Sequence, residues 1–124
     1  MVRLRRVGFH HWPDAPSEVD YLREVHRHEF HFQVEAKAGH ANRAVEFHLL
    51  KRATEAALTA LYGARHYAVL PQGMTEAAGE MPLQDRSCEQ IAAELLEMLI
   101  VKWPVTAVEV WEDGENGARV EPSS

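Results

Sequence analysis

Residues 24–36 read EVHRHEFHFQVEA, and the alternation inside this stretch constrains the fold more than any other feature of the chain. Side chains on a β-strand point to opposite faces with a period of two. On that period His26, His28, Phe30, Phe32, Val34 and Ala36 share one face, and Arg27, Glu29, His31, Gln33 and Glu35 share the other. A strand over 26–38 must therefore bury its apolar row, and it carries two imidazoles on that same side while His31 points to water.

The rest of the chain supplies what such a strand packs against. VRLRRVGFH, residues 2–10, reads as a first strand whose parity slips at Arg5-Arg6, where a bulge or bend is expected. HWPDAPSE, with Pro13 and Pro16, is a loop, and AGHAN around Gly39 is a turn or loop. Phe47, Leu50, Ala53, Ala57, Leu58 and Leu61 recur at helical spacing, which predicts a helix over 44–62 that stops at Gly63. Residues 63–86 carry Pro71, Gly73, Gly79 and Pro82 and read as a long irregular segment. Ser87 followed by Gln90 has capping-box spacing and opens a second helix with Ile91, Leu95, Met98 and Leu99 on its buried side. VTAVEVWE, 105–112, is a third strand, DGENG a hairpin turn, and ARVE a short fourth strand. The expectation is a single α+β domain over 1–124 in the order β-β-α-α-β-β.

Bulk properties narrow the function. At 46% hydrophobic and 26% charged residues the chain has the composition of a globular domain, and no apolar run nears the roughly 20 residues that span a bilayer. A net charge of −6 speaks against nucleic acid as the main partner. Cys88 is the only cysteine, so no disulfide closes within the chain, and with no signal-like apolar segment at the front a cytoplasmic location is expected. The oddity is eight histidines. Imidazole nitrogens are good ligands for zinc and related ions, and two at i, i+2 on one strand face can share an ion. A third would come from His10 or His11 at the end of the first strand, leaving one position open, as a catalytic zinc requires. The competing reading is that these are partly buried histidines bonded to backbone. Glu112 raises a similar question, because it ends a row, Val108 and Val110, that otherwise looks inward. Either the strand end is open to water or the carboxylate accepts two N–H bonds from a planar ligand edge.

Taken together the segments resemble the 6-pyruvoyltetrahydropterin synthase and 6-carboxytetrahydropterin synthase family. HHWP resembles that family's H-R-L-P segment, and HRHEFHFQVEA its H-G-H-N-Y signature. AVEFHLLK, with Glu46 at the usual aspartate, SCEQIAAEL and TAVEVWEDGENGARV are similar to its two helix starts and final hairpin. The resemblance implies a tunnelling fold: a four-stranded antiparallel sheet with two helices on one face, assembling as a trimer or hexamer with sites between subunits. It implies Zn2+ on His10, His26 and His28, a pterin gripped by Glu112, and lyase chemistry on 7,8-dihydroneopterin triphosphate or a close analogue in queuosine-type deazapurine or pterin biosynthesis. His66 matches the family's histidine proton shuttle, with Glu24 as a second candidate base. The family's cysteine position is Leu22, and Arg65 stands where its aspartate precedes the histidine. Those departures define an alternative, a metal- and pterin-binding homologue that has lost the lyase reaction.

Overall fold

The computed structural model describes residues 1–37, 44–63 and 80–123. Five strands form one mixed sheet: β1 Val2–His10, β2 His26–Ala36, β3 Met81–Gln84, β4 Val105–Glu112 and β5 Asn116–Val120. Two α-helices, α1 Ala44–Tyr62 and α2 Cys88–Leu99, and a 3-10 helix, Ser17–Arg23, complete the described elements. The spatial order is β3-β1-β2-β4-β5, with β3 parallel to β1 and every other neighbour antiparallel.

This corrects the expected architecture. The sheet is not a four-stranded antiparallel one, and the element order is not β-β-α-α-β-β, because β3 falls inside the 63–86 stretch read as irregular, and the 3-10 helix begins at the end of the HWPDAPSE loop and runs on through residues to which the sequence reading assigns no element. Met81–Gln84 is short and contains Pro82, which has no N–H to give to a ladder; such a strand survives at a sheet edge, where one side needs no partner. Its pairing with Gly8, Phe9 and His10 is possible because Gly8 has no side chain: a Cβ there would lie 2.8 Å from Leu83 Cδ1.

The β1–β2 ladder runs without a slip from Val2↔Val34 to His10↔His26, so of the bulge or bend expected at Arg5-Arg6 the bulge is absent. Arg6 instead stands in the inward row opposite Phe30 and sends its guanidinium to Thr59 Oγ1 of α1 at 3.1 Å, so its stem packs while its charge finds an oxygen. The buried core lies between the sheet and the two helices: Phe30, Phe32 and Val34 of β2, Val108 and Val110 of β4, Leu50 and Leu58 of α1, and Ile91 and Leu95 of α2. Two residues read as core are exposed instead, Phe47 and Met98, while Leu96 and Ala92 are buried. The Ser87–Gln90 capping box is formed in both directions and fixes where α2 begins. The opposite sheet face is polar and cross-linked by Arg119 to Glu35 and Glu109 at 2.7 and 2.8 Å.

Among the described residues no helix is long and apolar enough to cross a membrane. The turn at Gly39, His40, most of the 63–86 segment and His66 lie outside the described residues.

Candidate metal centre

The site sits where β1 ends and β2 begins. Antiparallel register sets His10 opposite His26 and Gly8 opposite His28, and all three histidines continue the inward row of Phe30, Phe32 and Val34. Ring centroids are 4.6 Å apart for His10 and His26, 5.2 Å for His10 and His28, and 4.9 Å for His26 and His28. One ligand nitrogen from each ring lies within 4.8 Å of the other two, close enough to hold a metal ion. Of the two adjacent histidines, His10 is the one in the group. His11 lines the neighbouring cavity, and its Nδ1 is buried with no hydrogen-bond partner among the described residues.

The second nitrogen of each ring is held from behind. His10 Nδ1 lies 3.0 Å from the Arg86 carbonyl, His26 Nδ1 2.8 Å from the Glu24 carbonyl, and His28 Nδ1 2.6 Å from Asp113 Oδ2. Carbonyl and carboxylate oxygens only accept, so in a neutral ring the proton sits on Nδ1 and the Nε2 lone pair turns inward. Histidine metal ligands are oriented this way, with the far N–H given to a carbonyl or carboxylate. The donor set thus fits a borderline transition-metal ion: three imidazoles, one tautomer and no competing thiolate.

Glu112 stands at the open side of the cluster. It pairs with Phe30 across the β2–β4 ladder and so faces inward. Its Oε1 lies 3.1 Å from His10 Nε2 and its Oε2 3.7 Å from His28 Nε2. Without an ion at this point the carboxylate draws a proton onto His10. Burial opposes charging that ring, but the bonds to Glu112 and to the Arg86 carbonyl outweigh it, and the His10 pKa is raised. The bond from His10 holds the Glu112 pKa below the usual carboxylate value, against the effect of its burial. His26 goes the other way: burial and then the neighbouring imidazoles lower it, opposed by its bond to the Glu24 carbonyl.

A cavity of about 420 Å3 opens beside the cluster, lined among others by His10, His26, Trp12, Leu22, Cys88 and Glu112. Cys88, at the first turn of α2, meets Glu112. Burial, then the carboxylate's charge and hydrogen bond, push its thiol up to about 12, so it is a neutral S–H near neutral pH. Among the described residues Glu24 meets the site through its carbonyl oxygen, and the residue is exposed. His31 lies on the open face, 3.1 Å from Glu29, and His48 is exposed on α1. Three contributors were not anticipated from the sequence. The Arg86 carbonyl reaches His10 only because β3 returns beside β1. Cys88 reaches Glu112 only once α2 is seated on the sheet. Asp113 could have been found by extending the β2–β4 register past Glu112.

No family model matches the chain, and neither does any curated protein. Its fold is similar to that of an uncharacterized protein from Wolinella succinogenes, seen in a crystal structure. The TM-score is 0.56 at 16% identity, over 98% of this chain and 96% of that one. At that identity the likeness speaks to the fold alone.

Proposed function

We propose that the chain binds a single zinc ion through His10, His26 and His28 and uses it on a small polar heterocycle held in the adjoining cavity. The observation that carries this reading is the convergence of three imidazoles, one ring nitrogen of each within 4.8 Å of the others, whose Nδ1 atoms are all held by oxygen acceptors. Three protein ligands leave a fourth position for water or substrate, and zinc there supplies Lewis-acid polarisation of a bound oxygen. The chain's own residues do the rest. A His10 that gives its Nε2 lone pair to an ion no longer donates a proton to Glu112. The carboxylate, released from that bond, then has an oxygen to accept from a ligand's N–H edge. Trp12 and Leu22 supply apolar wall for the body of such a ligand.

The resemblance noted in the sequence names the ligand to try first, a dihydropterin such as 7,8-dihydroneopterin triphosphate, with side-chain elimination and cleavage as the reaction. Purified zinc-loaded protein incubated with that compound should release triphosphate. Absence of product from fully loaded protein rejects the lyase reading.

A second reading, binding of metal and pterin without turnover, is favoured by one specific observation. Leu22 occupies the family's cysteine position, and Cys88 in the same cavity holds its proton, so no thiolate base faces the site at neutral pH. Pterin binding that follows zinc content, with no product formed, is its signature.

A further inference from the structure

The three imidazoles are not held alike. His10 and His26 lean on the backbone carbonyls of Arg86 and Glu24, which are neutral and fixed by the main chain. His28 leans on a side chain, with its Nδ1 2.6 Å from Asp113 Oδ2. We propose that Asp113 is the positioning residue of the metal centre: its carboxylate keeps the His28 proton on Nδ1 and thereby keeps the His28 Nε2 lone pair open to the ion. The inference rests on the three-histidine reading above.

The geometry around Asp113 leaves its second oxygen little else to do. The residue sits at the tip of the β4–β5 hairpin with φ of 52°, a left-handed conformation that Asp and Asn adopt more readily than other residues with a Cβ. Its backbone N–H donates to the Glu29 carbonyl at 2.8 Å, and its Oδ1 accepts the Glu29 N–H at 2.9 Å. These two bonds clamp the hairpin tip to β2 and aim Oδ2 at the neighbouring His28. Both groups that Asp113 serves, Glu29 N–H and His28 Nδ1–H, are donors. A carboxylate accepts from both, whereas an amide has one accepting atom and one donating atom. The Glu29 N–H cannot change its role. The imidazole can, by carrying its proton on Nε2 instead. An amide at this position therefore gives its oxygen to Glu29 and its NH2 to His28 Nδ1, which selects the tautomer whose Nε2 cannot ligate. A neutral amide also withdraws the charge that makes the ring a stronger donor to a divalent ion.

The test is Asp113→Asn in the full chain, because asparagine keeps both the size and the tolerance of left-handed backbone. Two readouts separate positioning from mere structure. Ring 15N NMR of metal-free protein at alkaline pH reports where the His28 proton resides. The wild type is expected to carry it on Nδ1 and the variant on Nε2. Competition with a chromophoric chelator reports zinc affinity, expected to fall about 10- to 100-fold in the variant. The urea midpoint, measured alongside, is expected to stay close to wild type. Zinc affinity within about threefold of wild type overturns the proposal, since the effect of a working outer-shell partner is larger. A drop in affinity with the His28 proton still on Nδ1 also overturns it. If the wild type itself takes up no zinc, the metal reading fails instead, and the NMR arm still decides whether Asp113 sets the His28 tautomer.

Discussion

Gly8→Ala tests the packing that places the site. Gly8 lies opposite His28 and beside β3, and a Cβ added there would sit 2.8 Å from Leu83 Cδ1 and 3.1 Å from two atoms of the Phe30 ring. Ordinary carbon contacts are about 3.5–4.0 Å, so Leu83 and Phe30 must each retreat by several tenths of an ångström. Both are at 0% exposure, and protein interiors pack about as densely as organic crystals, so a retreat displaces their neighbours in turn. Overpacking of this kind costs roughly 1–3 kcal/mol. Replacing a strand glycine offsets about 0.5–1 kcal/mol of that by restricting the unfolded chain. At mid-range values the net is a loss of about 1.3 kcal/mol. With a mid-range urea slope of about 2 kcal/mol per molar, the unfolding midpoint falls by roughly 0.6 M. The partner is identified by a double-mutant cycle with Leu83→Ala, in which the two substitutions together cost less than their sum because the truncated leucine vacates the space the methyl needs. A midpoint that rises, as for a strand glycine with open space above it, refutes the placement of β3 against β1. So does strict additivity in the cycle.

Three further outcomes follow from charges at the site. Zinc must displace the proton that Glu112 and the Arg86 carbonyl favour on His10, so zinc affinity rises with pH through the raised His10 pKa and protons are released on binding near neutrality; calorimetry in buffers of different ionisation enthalpy counts them, and uptake with no proton release contradicts the pairing. In the metal-free protein the sign for stability is the reverse: the raised His10 pKa adds stability below its unfolded value of about 6.5 that disappears as pH rises through the folded value. Cys88, held protonated by burial and by Glu112, reacts slowly with iodoacetamide at pH 8, and Glu112→Gln speeds the reaction by removing the nearby charge; an unchanged rate removes Glu112 as a cause.

Part of this arrangement is legible in the chain because it depends on period alone. Whatever β2 pairs with, a strand through HRHEFHFQV carries His26 and His28 on the side of Phe30 and Phe32, and a strand through VTAVEVWE carries Glu112 on the side of Val108 and Val110. The helix starting at Ser87 is equally local, since its cap needs only residues three apart. What depended on distant pairing was misread. Met81–Gln84 reads by composition as part of a long irregular segment and becomes a strand only because Gly8 opens a slot beside β1, and that one pairing turns the expected four-stranded antiparallel sheet into a mixed five-stranded one. Arg6 looks like a break in alternation until Thr59 of α1 comes within reach. The Nδ1 partners of His10 and His28 lie 76 and 85 residues away along the chain, and no local pattern points to either.

The central claim is that His10, His26 and His28 act as one ligand set. Zinc stoichiometry of the purified protein, measured by elemental analysis beside His10→Ala, His26→Ala and His28→Ala, tests it directly. The account predicts one zinc per chain in the wild type and loss of stoichiometric zinc in all three variants, with the folds retained by circular dichroism. A wild type that takes up no zinc, or any one variant that keeps the full complement, contradicts it.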